Sequence, residues 1–324
     1  MKAFRVTTSG RAPSVEDILI PEPSETELRL RVRACGLNFA DLLMIDGSYQ
    51  DTPAVPFTLG MEAAGVVDKV GTEVRSFALG DRIAVFAGSG GLAEFACFPA
   101  DRCVRLPDEM TFTDAAAFQV AYGTSHLALH YRAGLRPGET LVVLGAAGGV
   151  GLTAIEIGKL LGAKVVAVAR GAKKLEVAAG AGADHLIDSD NMDIRESIKA
   201  LGGADVVYDP VGGDQFTAAM RACNPEARIL TIGFASGEVP QIPANILLVK
   251  NISVIGFYWG GYLRFRPQIL TESLAQLFQW YGEGRLRPHI SHVLPLDQAA
   301  AGLDLLRSRA STGKVVITPP HEPA

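Results

Sequence analysis

The chain has 324 residues, of which 48% are hydrophobic and 20% charged, with a formal net charge of −5. That length calls for two domains with ample core, and the composition is that of a globular protein. No basic stretch is interleaved with aromatics, which argues against nucleic acid as a partner. No apolar run approaches the roughly 18 residues of a membrane span, and no signal-peptide run opens the chain, so a cytoplasmic location is expected. The four cysteines (Cys35, Cys97, Cys103 and Cys223) are scattered without a C-x-x-C spacing, so neither a disulfide framework nor a zinc ribbon is expected.

Residues 1–35 read as β structure; from Glu27 to Ala34 charged and apolar residues alternate as in a half-exposed strand. Asn38 is placed to cap a short helix running to about Ile45. A Pro-rich loop follows, and the short strands and many glycines between 60 and 105 predict a small barrel-like β domain. From Thr113 to Leu129 the spacing becomes helical, with a break expected near Gly123. Beyond a turn at 134–139, strands are predicted at 141–144, 164–169, 185–187, 205–209, 228–232 and 252–256. Helices are predicted between several of them, at 152–162, 173–179 and 214–222. Such alternation implies a doubly wound parallel sheet. A long amphipathic helix over about 271–283, a short helix after Pro295 and a last strand at 314–317 complete the chain.

The most informative stretch is Leu141-Val142-Val143-Leu144-Gly145-Ala146-Ala147-Gly148-Gly149-Val150-Gly151. A buried strand, a glycine-rich turn, a helix and a second strand make one βαβ unit, the half-site of a dinucleotide-binding fold. Gly148 lets backbone approach a pyrophosphate, and Gly151 lets the helix pack closely on the strand. The helix N-terminus offers free N–H groups to the phosphates. Ala146 stands at the first glycine position, so the fingerprint is not strict. At the end of the second strand an NAD enzyme places Asp or Glu for the ribose 2′-OH. Here Ala169 and Arg170 occupy that place, with Lys173 and Lys174 following and no carboxylate among them. Arg170 and Lys174 therefore point to a 2′-phosphate and to NADPH; the alternative is a solvated helix start.

A β-rich N-terminal part, an inserted nucleotide domain and a returning tail resemble the medium-chain dehydrogenase/reductase superfamily. Ala146–Gly151 together with Asn38-Phe39-Ala40-Asp41 resembles its zinc-independent quinone oxidoreductase branch, the ζ-crystallin-like one. The resemblance implies a Rossmann sheet (121–258) inserted in a GroES-like β-rich domain (1–120 and 259–324). Zinc-dependent members carry Cys and His at the positions matching Asn38 and Met61. Amide and thioether are poor zinc ligands, and Glu62 alone cannot make a tetrahedral site, so no zinc is expected.

By resemblance, Asn38 would sit beside the nicotinamide and the acceptor and donate a hydrogen bond, and Tyr49 would lie near the acceptor. Their plainer readings are a helix cap and a loop aromatic. Thr124 matches a position touching the nicotinamide, or is a helix hydroxyl. Gly145, Ala147, Gly148, Gly149, Val150 and Gly151 would hold the coenzyme with Val211. Phe234, Phe257 and Trp259 follow strand ends and would wall it, or serve core or interface packing. His126 and His130, at i and i+4, read as packing rather than metal ligands.

The expected activity is NADPH-dependent reduction of a quinone by direct hydride transfer without metal. An enoyl-thioester or enone reductase is the near alternative, and a non-enzymatic, crystallin-like NADPH-binding protein the more distant one. A small-molecule acceptor and, by resemblance, a homodimer are the expected partners.

Overall fold

A computed structural model describes residues 1–320. They divide into two compact units, Met1–Val120 with the chain from Pro288 onward, and Ala121–Arg287. The second crossing thus falls about thirty residues beyond the expected 258/259 boundary. Residues 259–287 stay with the second unit because they pack there: Leu270, Leu274 and Leu277 on the helix Pro267–Gly282 are buried, and Ser273 of the same helix bonds His126.

The first unit is β-rich. Its larger sheet runs in the order Ile290–Pro295, Lys314–Thr318, Glu27–Gly36, Glu62–Val70, Arg82–Phe86, Cys103–Arg105, with Phe95–Pro99 also paired to Glu27–Gly36. The alternation in Glu27–Gly36 is realised as Leu28, Leu30 and Val32 turned into a core with Val67, Ile83, Val85 and Phe98, while Arg31 is exposed. Burying such side chains contributes roughly 1.5–3 kcal/mol each. The final strand pairs antiparallel to the long one, Val316 opposite Gly36, while Gly36 also faces Glu62. Three distant stretches of sequence thereby meet at one end of the sheet.

The second unit is a six-stranded parallel sheet in the order His185–Asp188, Lys164–Ala169, Thr140–Leu144, Ala204–Asp209, Cys223–Thr231, Ser253–Gly256. This is the doubly wound 3-2-1-4-5-6 arrangement, whose strand order reverses between Thr140–Leu144 and Ala204–Asp209. Val142, Leu144, Val166, Val168, Val207 and Ile229 are fully buried, as strands covered on both faces require.

The helix Gln119–His126 runs unbroken through Gly123. A Cβ at Gly123 would lie 2.7 Å from the indole ring of Trp259, so this glycine serves close packing rather than a break. A π-helical turn, Leu127–Arg132, follows. The helices Ile194–Ala200 and Ala244–Lys250 and the strand Ile290–Pro295 were not expected. Among the described residues no helix is long and apolar enough to cross a membrane.

Candidate functional site

In the second unit the strand Thr140–Leu144 is buried throughout and ends at Gly145, whose φ is +57°. The turn crests at the exposed Gly148, the N-cap of the helix Gly149–Leu160. Ala147 is buried, Gly149 and Val150 are half-buried, and no side chain caps the helix. The N–H groups of the first turn have no intrahelical acceptor and suit an anion. A Cβ at Gly151 would lie 2.4 Å from the Gly145 carbonyl oxygen, so only glycine allows the helix to start this close to the strand.

Three buried hydroxyls anchor that turn. Ser125 Oγ donates to the Val150 carbonyl at 3.0 Å and lies 2.8 Å from Thr153 Oγ1 and 3.0 Å from the Tyr208 hydroxyl. Thr124 is buried on the same helix as Ser125. The loop after Ala204–Asp209 closes on the turn, and a Cβ at Gly145 would meet Val211 Cγ2 at 2.8 Å. Asp209, wholly buried, accepts the N–H groups of Val211 and Gly212 at 2.8 and 2.9 Å and so sets the loop's path. Phe234 lies against Gly212 and remains 37% exposed. The structure therefore brings Gly145, Val211 and Phe234 together at adjacent strand ends. Phe257 and Trp259 are buried instead, Phe257 against Tyr262 with centroids 5.7 Å apart and Trp259 against Gly123. Both aromatics already have packing roles.

At the end of Lys164–Ala169, Arg170 is exposed and Lys174 half-buried. A carboxylate does stand here, contributed by the neighbouring strand. Asp188, paired with Ala169, accepts the Gly171 N–H at 3.0 Å and the Asn191 side-chain amide at 2.9 Å. The Gly171 N–H, then the Asn191 amide and the Asp190 N–H, hold its carboxyl below the ordinary range, so it is an anion at neutral pH.

A second polar cluster lies in the first unit. Lys314 Nζ donates to Glu62 Oε1, Asn38 Oδ1 and the Leu37 carbonyl, each at 2.8 Å, and its side chain is 7% exposed. Glu62 Oε2 accepts the Val120 N–H at 2.9 Å. Asn38 is at the N-cap, where its N–H is held by Asp41 at 2.8 Å. Its side-chain amide donates to Glu62 Oε1 at 2.9 Å and to the Gly36 carbonyl at 3.2 Å. Both amide hydrogens are thus engaged, and an acceptor could take one only in exchange for an internal bond. Burial pushes the Asp41 carboxyl up to about 6, against the pull of the Asn38 and Gly60 N–H groups and of Lys314. Lys314 was not among the candidate residues. Tyr49 is half-buried, its carbonyl taken by Thr52 Oγ1 at 2.6 Å.

Two features carry ordinary roles. His126 bonds Ser273 at 2.7 Å, stacks on His130, and burial lowers its pKa to about 4. Burial raises the Cys35 thiol well above its usual range, which leaves it unreactive.

Two family models match the sequence: an alcohol dehydrogenase GroES-like domain over residues 24–108 and a zinc-binding dehydrogenase domain over 149–279. The chain is 40% identical to the quinone oxidoreductase-like protein 2 homolog of Nematostella vectensis, over 98% of this chain and 88% of that one. The crystal structure of Escherichia coli quinone oxidoreductase complexed with NADPH superposes with a TM-score of 0.92 at 29% identity, covering 98% of this chain and 100% of that one. Thermus thermophilus quinone oxidoreductase, also solved with NADPH, gives 0.87 at 34% identity, covering 98% and 100%.

Proposed function

Because the chain belongs to the quinone oxidoreductase branch of the medium-chain dehydrogenase/reductase superfamily, we propose that it is an NADPH-dependent reductase of quinones. One observation carries this reading. A glycine turn and uncapped helix N-terminus are followed, at the end of the next strand, by Arg170 and Lys174. Those residues fit the diphosphate and the 2′-phosphate of NADPH, as the relatives solved with NADPH support. Bound NADPH supplies a hydride. The backbone of Gly148–Gly151 would hold its diphosphate, and Val211 and Phe234 would line the ring end. By resemblance Asn38 and Tyr49 would meet the acceptor, Asn38 giving up one of its internal bonds to do so. A quinone accepting hydride becomes a stabilised anion that water can protonate, so this chain need provide only positioning and exclusion of water.

The zinc implied by the matching family does not fit the residues here. The donor set would be the Asn38 amide, Met61 and Glu62, and the Glu62 carboxylate is already neutralised by Lys314 at 2.8 Å. A divalent cation would have to displace that ammonium and accept two poor ligands.

The assay is NADPH consumption with 1,2-naphthoquinone, with crotonyl thioester and with no acceptor. Acceleration by the quinone is expected. Acceleration by the thioester alone would transfer the assignment to conjugated carbonyl reduction, and none by either would remove the enzymatic reading. Arg170→Ala should weaken NADPH binding far more than NADH binding. We also propose a homodimer. The strand Ser253–Gly256 ends the sheet with its outer edge unpaired among the described residues. The helix before it leaves Leu248 and Val249 78% and 76% exposed. Exposed edges of this kind are normally covered. Sedimentation of the wild type and of Val249→Asp tests this, a dimer and a monomer being expected.

A further inference from the structure

The place where a coenzyme's second phosphate would sit is electrostatically mixed. Arg170 and Lys174 follow the strand Lys164–Ala169, whose end takes the adenosine ribose in this class of sheet. The strand beside it brings Asp188 to the same level, Ala169 opposite Asp188 in the register. Asp188 is not a loose surface carboxylate. Oδ1 accepts the N–H groups of Gly171 and Asp190 at 3.0 and 3.1 Å, and Oδ2 accepts the Asn191 amide at 2.9 Å. Gly171 lies between Arg170 and the helix Ala172–Gly180 and caps that helix with φ +77°. The carboxylate is therefore tied to the residue adjoining the cation expected to bind phosphate. Its bonds come from neutral amides, which leave a full negative charge in place.

We propose that Asp188 is a coenzyme-specificity residue, a fixed anion that weakens binding of a 2′-phosphorylated adenosine relative to a plain one. The proposal rests on the coenzyme reading above and refines it. Arg170 and Lys174 attract the second phosphate, Asp188 opposes it, and the wild-type chain discriminates less between NADPH and NADH than its cations alone would dictate. An NAD-type acid would stand on the ribose strand itself and bond the 2′-OH. Asp188 comes from the neighbouring strand, and three of its acceptor positions are already taken by N–H groups of this chain.

The test is calorimetric titration of the wild type and of Asp188→Asn with NADPH, NADH, 2′,5′-ADP and 5′-AMP. Asn keeps an acceptor for the Gly171 N–H, and the Asn191 amide can flip to meet it. Dissociation constants for NADPH and 2′,5′-ADP should fall about three- to tenfold, the range expected for removing one charge close to a phosphate in a solvated site. Those for NADH and 5′-AMP should stay within twofold. The gain should shrink in 0.5 M salt, where screening acts over only about 4 Å; loss of a merely structural bond would not respond to salt in this way. Asp188→Ser, which also keeps an acceptor without charge, should behave alike if the Asn variant folds poorly. Equal changes for the phosphorylated and plain ligands, or none, would overturn the proposal. Wild-type protein that bound none of the four ligands would remove the coenzyme reading itself and this proposal with it.

Discussion

Replacing Lys314 by Met probes the network on which the first unit's polar cluster depends. The substitution leaves the volume nearly unchanged but removes three donors at once. Glu62, 1% exposed, would keep the Val120 N–H and the Asn38 amide but lose the cation 2.8 Å away. Asn38 Oδ1 and the Leu37 carbonyl would lose their donor as well. Breaking a buried ion pair from one side typically costs about 3–5 kcal/mol, because the remaining charge is neither solvated nor paired. Whole-protein stabilities are roughly 5–15 kcal/mol, so the loss is a large fraction. For a unit of this size each kcal/mol moves Tm by about 2–4 °C. A drop of some 6–20 °C, with a matching fall in the urea midpoint, is expected. The double variant Glu62→Gln/Lys314→Met should recover at least half of it, since a neutral amide can still accept the Val120 N–H. A single variant costing under about 1 kcal/mol, or a double variant worse than the sum of the singles, would refute the reasoning.

Gly123→Ala should destabilise by about 1–3 kcal/mol despite alanine's better helix propensity, because the new methyl meets the Trp259 indole at 2.7 Å; denaturant unfolding measures this, and a stabilised variant would count against that packing. Burial raises the Glu156 carboxyl to about 7, against the bonds from the Tyr122 hydroxyl at 2.5 Å and the Arg287 N–H at 3.1 Å. The folded state then holds a proton that the unfolded state has released, so stability falls as pH rises from about 4.5 to about 7, by at most about 3 kcal/mol, and stays lowered above. Glu156→Gln should remove that slope from the pH dependence of Tm. Elemental analysis of protein purified without added metal should give far less than one zinc per chain.

What was legible in the sequence was what consecutive residues accomplish by themselves. The strand, glycine turn and helix of 140–160 carry their periodicity and their close-approach glycine within one short window, so this strand–turn–helix unit could be placed in advance. The helix Ile194–Ala200 had such a local signal too: Asp193 caps it by accepting the Glu196 N–H at 2.9 Å, the D-x-x-E spacing of a capping box. The helix Ala244–Lys250 had none, because Ile246, Leu247, Leu248 and Val249 are apolar all round and Leu248 and Val249 stay exposed, which defeats a reading based on one buried face.

Residues brought together only by strand pairing could not be found from neighbours in sequence. Lys314 and Glu62 are 252 positions apart and meet because the last strand and Glu62–Val70 both border Glu27–Gly36. Asp188 reaches the end of the strand Lys164–Ala169 through parallel register alone. A search for an acid at a fixed offset from the glycines inspects the strand that bears the offset and no other. In a parallel sheet the groups that set charge at a strand end come from the neighbouring strands as well. On the proposal above, the offset rule would locate the ribose, while the preference between phosphorylated and plain ribose would depend on strand order as well.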